Sequence, residues 1–230
     1  MKKILLILIA LPLVALANTS AITVTAPIDA SDKESLQRGA KNFVNYCLNC
    51  HSAKYMRYNR LVDIGLTEKQ IKDNLLLSGG KVGDTMQVAM NPIEAKKWFG
   101  VAPPDLSVEV RARGADWVYA YMRGFYRDST TPTGWNNTVY DKVAMPHVLY
   151  ELQGEQIMNH ETHKLELIKP GKLSPAEYNA FVGDLTNFMA YMAEPAKQSR
   201  QQMGWWVLLF LGVLLVLAKK LKNEYWKDIK

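Results

Sequence analysis

The sequence predicts a mainly α-helical domain with a small β-hairpin, followed by one C-terminal transmembrane helix. Three observations carry this. Capping boxes at Ser31, Thr67 and Ser174 each open a helical segment. Residues 205–218 run without a charge. The run Cys47-Leu48-Asn49-Cys50-His51 holds the only two cysteines and lies at the end of the first of those helices.

The C-x-x-C-H run reads as a covalent haem attachment site. Each thiol can add to one porphyrin vinyl group, and the adjacent imidazole then falls under the iron as proximal ligand. Other readings of the run fit less well. A structural zinc site brings more thiols or a His pair. A thioredoxin-like redox pair belongs in a βαβ unit. A disulfide at this spacing is strained and has no use for His51.

The formal charge of +6 is concentrated at the ends. Removing Lys2, Lys3, the five tail lysines, Glu224 and Asp228 leaves 21 basic and 20 acidic residues in 18–203. The basic balance therefore reflects targeting and membrane topology, and gives no argument for nucleic-acid binding.

Residues 1–17 read as a secretory signal peptide. Lys2 and Lys3 precede an apolar stretch from Ile4 to Leu16, and Ala15-Leu16-Ala17 is a small-x-small cleavage site. Export suits the motif, because c-type haem is attached outside the bacterial cytoplasm. The haem domain spans 18–200. Its residues 18–30 lack helical period and read as an extended arm. Ser31-Asp32-Lys33-Glu34 then starts a helix whose inner face is Leu36, Ala40, Phe43 and Cys47. Thr67-Glu68-Lys69-Gln70 opens a second helix through Leu77, ended by Ser78-Gly79-Gly80. Asn91-Pro92 opens a third, stopped by Gly100, and 115–123 form a fourth, stopped by Gly124. Residues 128–144 read as a long irregular loop and 148–168 as a β-hairpin.

Ser174-Pro175-Ala176-Glu177 starts the last helix of the domain, with an apolar face from Tyr178 to Met192. This helix and the first are expected to cross and to help close the haem crevice. Residues 203–222 are the predicted membrane anchor and 223–230 a cytoplasmic tail. The uncharged core is shorter than the ~20 residues a spanning helix needs. The flanks extend it: from Trp206 to Tyr225 is about 28 Å of helix. Lys219, Lys220 and Lys222 follow the core, which places the C-terminus inside and the domain outside.

The sixth iron ligand separates carrier from catalyst. A methionine closes the site, whereas an open position suits a gas sensor or a peroxidase. Met56 is too close to the motif. Met122, Met189 and Met192 lie on helix faces, and Met203 flanks the membrane. Met145 follows the irregular loop and precedes Pro146, where extended chain can present a thioether; Met86 and Met90 are the alternatives. His147 competes directly with Met145. His160 and His163 read as solvated surface. Arg111 and Arg113 are candidates for two-pronged pairing with a haem propionate.

These residues resemble the cytochrome c1 family in its compact bacterial form. The carriers are Cys47–Ser52 with Tyr55, Arg57, Tyr58 and Leu61, then Asn91-Pro92, Ala102-Pro103-Pro104-Asp105-Leu106-Ser107 and Val110-Arg111-Ala112-Arg113. Pro132-Thr133-Gly134, Val143-Ala144-Met145-Pro146, Glu194-Pro195 and Met203-Gly204 complete the series. The resemblance implies a class I cytochrome c-type haem domain with insertions, carrying one covalently bound haem c. It implies Met145 as second axial ligand, Arg113 on a haem propionate, and Pro103-Pro104 lining the crevice. It further implies a non-catalytic electron-transfer subunit of quinol–cytochrome c reductase in the bacterial inner membrane. The haem domain then faces the periplasm and takes electrons from the Rieske iron–sulfur protein. Cytochrome b, a soluble or membrane cytochrome c and a dimeric complex are the implied partners. Two features depart from the family pattern. Pro146-His147 follows Met145 where the family often has Ala-Pro-Pro, and the chain has no spare cysteine for an extra disulfide.

Overall fold

The computed structural model describes residues 22–77, 79–159 and 161–228. The signal segment, Ser78 and His160 lie outside them.

The first helix, α1 (Lys33–Asn42), buries Leu36 and Ala40. Its N-cap is Asp32, whose side chain accepts from Ser35 N at 2.9 Å, one residue later than the sequence pattern indicates. The Ser31 hydroxyl is diverted to Asp29 at 2.6 Å, which removes it from capping. The helix ends in a wider turn over Phe43–Cys47, where Leu48 N donates to Phe43 O at 3.0 Å. Such i→i+5 turns are rare and concentrate at functional sites.

An antiparallel ribbon follows, β1 (Ala53–Arg57) with β2 (Thr85–Met86). Between them lies α2 (Glu68–Asn74), whose Thr67–Gln70 capping box is present. It stops short of Leu77 because the Asn74 side chain takes the Gln70 carbonyl at 2.9 Å, competing with the helix ladder. Next come α3 (Pro92–Phe99), ended by Gly100 at φ 78°, then α4 (Glu109–Arg113) and α5 (Ala115–Arg123).

The stretch read as irregular loop contains a strand. β3 (Phe125–Arg127) pairs antiparallel with β4 (Trp135–Asn137). The asparagines conceal it in the sequence, because in the fold they are buried and bonded. Asn137 Nδ2 donates to Tyr121 O at 2.8 Å, and Asn136 Nδ2 to Asp128 and Asp141 at 3.0 and 2.9 Å. The expected hairpin is present as β5 (Gly154–Asn159) with β6 (Lys164–Pro170). A single helical turn, α6 (Tyr150–Gln153), precedes it, and Leu149 belongs to the core.

The last two helices are α7 (Pro175–Ala193), with its Ser174–Glu177 capping box, and α8 (Lys197–Tyr225). The crossing of α1 and α7 is the most extensive helix contact. It turns on Gly39: a Cβ there would lie 2.1 Å from Asp184 O and 2.6 Å from Phe188 Cβ. Without a side chain the two backbones close, and Phe43 packs on Phe188 at 5.7 Å. Arg38 adds a two-pronged pair to Asp184, at 2.6 and 3.0 Å. The extended arm straps this pair: Asn187 bonds Asp29 through both its amide atoms and donates to Ser35.

Helix α8 is long and apolar enough to cross a membrane, and none of its residues is buried. It begins at Lys197, so the apolar span of 203–222 sits inside a longer helix. The fold is mainly helical with small antiparallel ribbons, as the sequence predicts.

Candidate functional site

Cys47 sits in the last, widened turn that closes α1. Its carbonyl accepts from Cys50 N at 3.1 Å and from His51 N at 2.9 Å, so the motif folds back as a tight turn. Both thiols are free. Burial pushes the Cys47 thiol up to about 12, and also raises Cys50.

His51 Nδ1 lies 2.8 Å from the Pro104 carbonyl. A carbonyl can only accept, so Nδ1 carries the proton and Nε2 keeps its lone pair. Burial lowers the His51 pKa, with the Pro104 carbonyl pulling it partly back. A neutral imidazole with an oriented, unprotonated nitrogen is the form that ligates a metal.

The Pro104 carbonyl is held in place by its own neighbours. Leu106 N donates to Ser52 O at 2.8 Å. Lys54 N donates to Asp105 Oδ2 at 2.9 Å, and Tyr55 N to Ser107 Oγ at 3.1 Å. Ser107 N closes an Asx turn onto Asp105 Oδ1 at 2.9 Å. The segment Pro103–Ser107 is thus zipped along the chain that follows His51. Burial raises the Asp105 pKa, but the bonds from Ser107 and Lys54 outweigh it and leave it below the usual carboxylate value. Sequence reasoning takes this segment as crevice lining and misses the clamp. An Asp two residues before a Ser is the signal for it.

Met145 lies elsewhere in the chain, half-buried. Tyr121 Oη donates to its Sδ at 3.4 Å. Tyr121 stacks on Trp117, with centroids 5.0 Å apart and planes at 11°, and meets Phe125 edge-on at 5.2 Å. Burial raises the Tyr121 pKa well above the ordinary phenol value. Arg113 places its guanidinium 4.5 Å from the Trp117 ring centre and pairs with Glu109. Arg111 is exposed, as is Pro104, while Pro103 is half-buried. One stack therefore joins Arg113 to Met145 through Trp117 and Tyr121, with Phe125 at its edge, four residues on. That four-residue spacing is the sequence signal for the stack.

His147 is buried at 2% exposure. Its ring lies parallel to Phe125 at 4.7 Å and edge-on to Trp135 at 5.0 Å. Neither ring nitrogen has a hydrogen-bond partner among the described residues. Burial pushes its pKa down to about 4, against a smaller upward pull from the Gln153 side chain. Of the other methionines considered, Met86 is wholly buried in β2 and Met90 half-buried. His163 is exposed. A separate cavity of about 730 Å³, lined by Trp117, Arg123, Gln156, His163 and Tyr178 among others, includes none of the cysteines, axial candidates or arginines predicted for the haem site.

The donor set suits a c-type haem: two free thiols at C-x-x-C spacing and an imidazole with Nε2 available, with the Met145 thioether elsewhere in the fold.

The description "Cytochrome C1 family" matches residues 23–229. The chain is 50% identical to "Cytochrome c1" of Allochromatium vinosum, over 89% of this chain and 88% of that one. It is 52% identical to a Nitrosomonas europaea protein named "Ammonia monooxygenase gamma subunit", over 99% and 98% of the two chains. "Cytochrome c1" of Rhodospirillum rubrum is 27% identical over 86% of this chain and 83% of its own. With the match extending over nearly the whole chain, this protein belongs to the cytochrome c1 family, whose members are c-type haem proteins.

Proposed function

We propose that the chain is the haem subunit of a quinol–cytochrome c reductase (cytochrome bc1) complex. In this reading it carries one electron at a time from the Rieske iron–sulfur protein to a soluble or membrane cytochrome c. One observation carries the reading: in a cytochrome c1-family chain, two free thiols precede a histidine whose Nδ1 is committed to the Pro104 carbonyl.

Cys47 and Cys50 would attach one haem c, with His51 Nε2 and Met145 Sδ as its axial donors. So bound, the group supplies a one-electron couple, and the protein supplies ligands and a dry pocket. Pro104 holds the His51 tautomer. Met145 supports a closed site, since it packs against the Phe125, Trp135 and Val143 cluster and is already oriented by Tyr121. Arg113, with Arg111 beside it, would hold a propionate, and Pro103 and Pro104 would line the crevice. The aromatic bed of Phe125, Trp135 and His147 would shield the Met145 side from water.

Helix α8 would anchor the domain in the bacterial inner membrane beside cytochrome b, in a dimeric complex. The lysines after its apolar core favour a cytoplasmic C-terminus and a periplasmic haem domain.

The test is spectroscopic, on the purified full-length holoprotein. A sulfur-to-iron band at the red end of the ferric spectrum is expected, and Met145→Leu should abolish it. Rapid carbon monoxide binding by the unmutated ferrous protein would overturn the closed site.

The name of the Nitrosomonas europaea relative favours a second reading, the same electron carrier serving a monooxygenase. Native purification separates the two. Co-purifying cytochrome b and Rieske subunits support the first, and a monooxygenase subunit in their place supports the second.

A further inference from the structure

Met145 touches one hydroxyl group, and the fold spends several interactions on holding that hydroxyl still. Tyr121 Oη lies 3.4 Å from Met145 Sδ. Its ring is fixed on one face by Trp117 and at the edge by Phe125. Its backbone carbonyl is fixed by Asn137 Nδ2 at 2.8 Å. The sulfur is held from its own side as well. Two residues on, the His147 ring is sandwiched against Phe125 and Trp135, and Pro146 restricts the backbone between them. Phe125 therefore contacts both the donor ring and the His147 anchor of the acceptor segment.

A thioether sulfur has two lone pairs and is a weak acceptor. A phenol remains protonated at neutral pH, so here it is a donor.

We propose that Tyr121 is a positioning residue for the sixth ligand. Its hydroxyl occupies one lone pair of the Met145 sulfur, and the other would remain for the iron. By drawing electron density from the sulfur, it also biases the couple toward the reduced state. The inference rests on the reading of Met145 as axial ligand. The physical link is that a hydrogen bond to a ligand atom makes it a poorer donor. Donation matters more to the ferric than to the ferrous ion, so the bond favours reduction.

The experiment compares Tyr121→Phe with the unmutated full-length holoprotein. The ring, its stack and its burial are retained, and only the hydroxyl is removed. The expected result is a lower midpoint potential, corresponding to a few-fold weaker preference for the reduced state, the scale of one net hydrogen bond. The sulfur-to-iron band should remain but move. A Trp117→Phe variant perturbs the stack while keeping the hydroxyl, and its potential should stay near the unmutated value.

An unchanged potential and an unmoved band in Tyr121→Phe would overturn the proposal and leave Tyr121 as packing alone. So would an equal fall in Trp117→Phe, which would assign the effect to the stack. Failure of the underlying reading looks different: the band would survive Met145→Leu, whatever Tyr121→Phe does.

Discussion

The surroundings of His51 and Met145 are built by different forces. Around His51 the work is done by directional hydrogen bonds between two backbone segments. Residues 51–55 and 104–107 are joined through Ser52, Asp105 and Ser107. Around Met145 the work is done by rings: Trp117, Tyr121, Phe125, Trp135 and His147 pack in offset and edge-on pairs. Hydrogen bonds specify atoms, so the His51 side tolerates little change in a short motif. Aromatic packing specifies volume and adapts to neighbours, so the Met145 side can be assembled from residues far apart in the chain.

The sharpest way to break this contrast is Phe125→Ala. Phe125 is fully buried and supports both Tyr121 and His147. Removing a buried ring costs about 3–5 kcal/mol. The damage should fall on the Met145 side first. During denaturant unfolding of the variant, the sulfur-to-iron band should vanish at a lower concentration than helical circular dichroism. Coincident transitions would show that the two sides fail as one unit.

Gly39→Ala tests the frame that both sides share. The added Cβ meets backbone at the α1–α7 crossing, where neither helix can yield cheaply. The expected loss is about 1–3 kcal/mol, with no selectivity between sides. Chemical denaturation should show one transition at lower denaturant with the band and helicity lost together.

Asp105→Asn probes the hydrogen-bonded side with the smallest effect, about 1 kcal/mol at neutral pH. The folded pKa of Asp105 is depressed, so the ionised carboxylate contributes stability above the ordinary carboxyl value near 4. That contribution is lost as pH falls through the lower folded value. Stability of the unmutated protein and the variant should therefore converge on acidification. A gap that stays constant down to pH 2 would remove the charge from the explanation.

Much of this was legible in the residues. The Thr67 and Ser174 capping boxes, Pro92 after Asn91 and Gly100 all act where the sequence puts them, because capping operates within four residues. The cap of α1 lies one residue beyond the Ser31 pattern, because Asp29 captures Ser31 from outside it. The β4 strand was hidden, because Asn136 and Asn137 have turn-forming chemistry until buried partners claim their amides.

The sequence by itself determined the Cys47–His51 run, the helix that delivers it, and an apolar segment with lysines after it. Each is written in residues that are neighbours along the chain. Only the tertiary structure decided that Pro104 holds His51, that Gly39 lets α1 and α7 close, and that Tyr121 reaches the Met145 sulfur. These contacts join residues 24 to 149 positions apart in the chain, where packing rather than local propensity selects the partner.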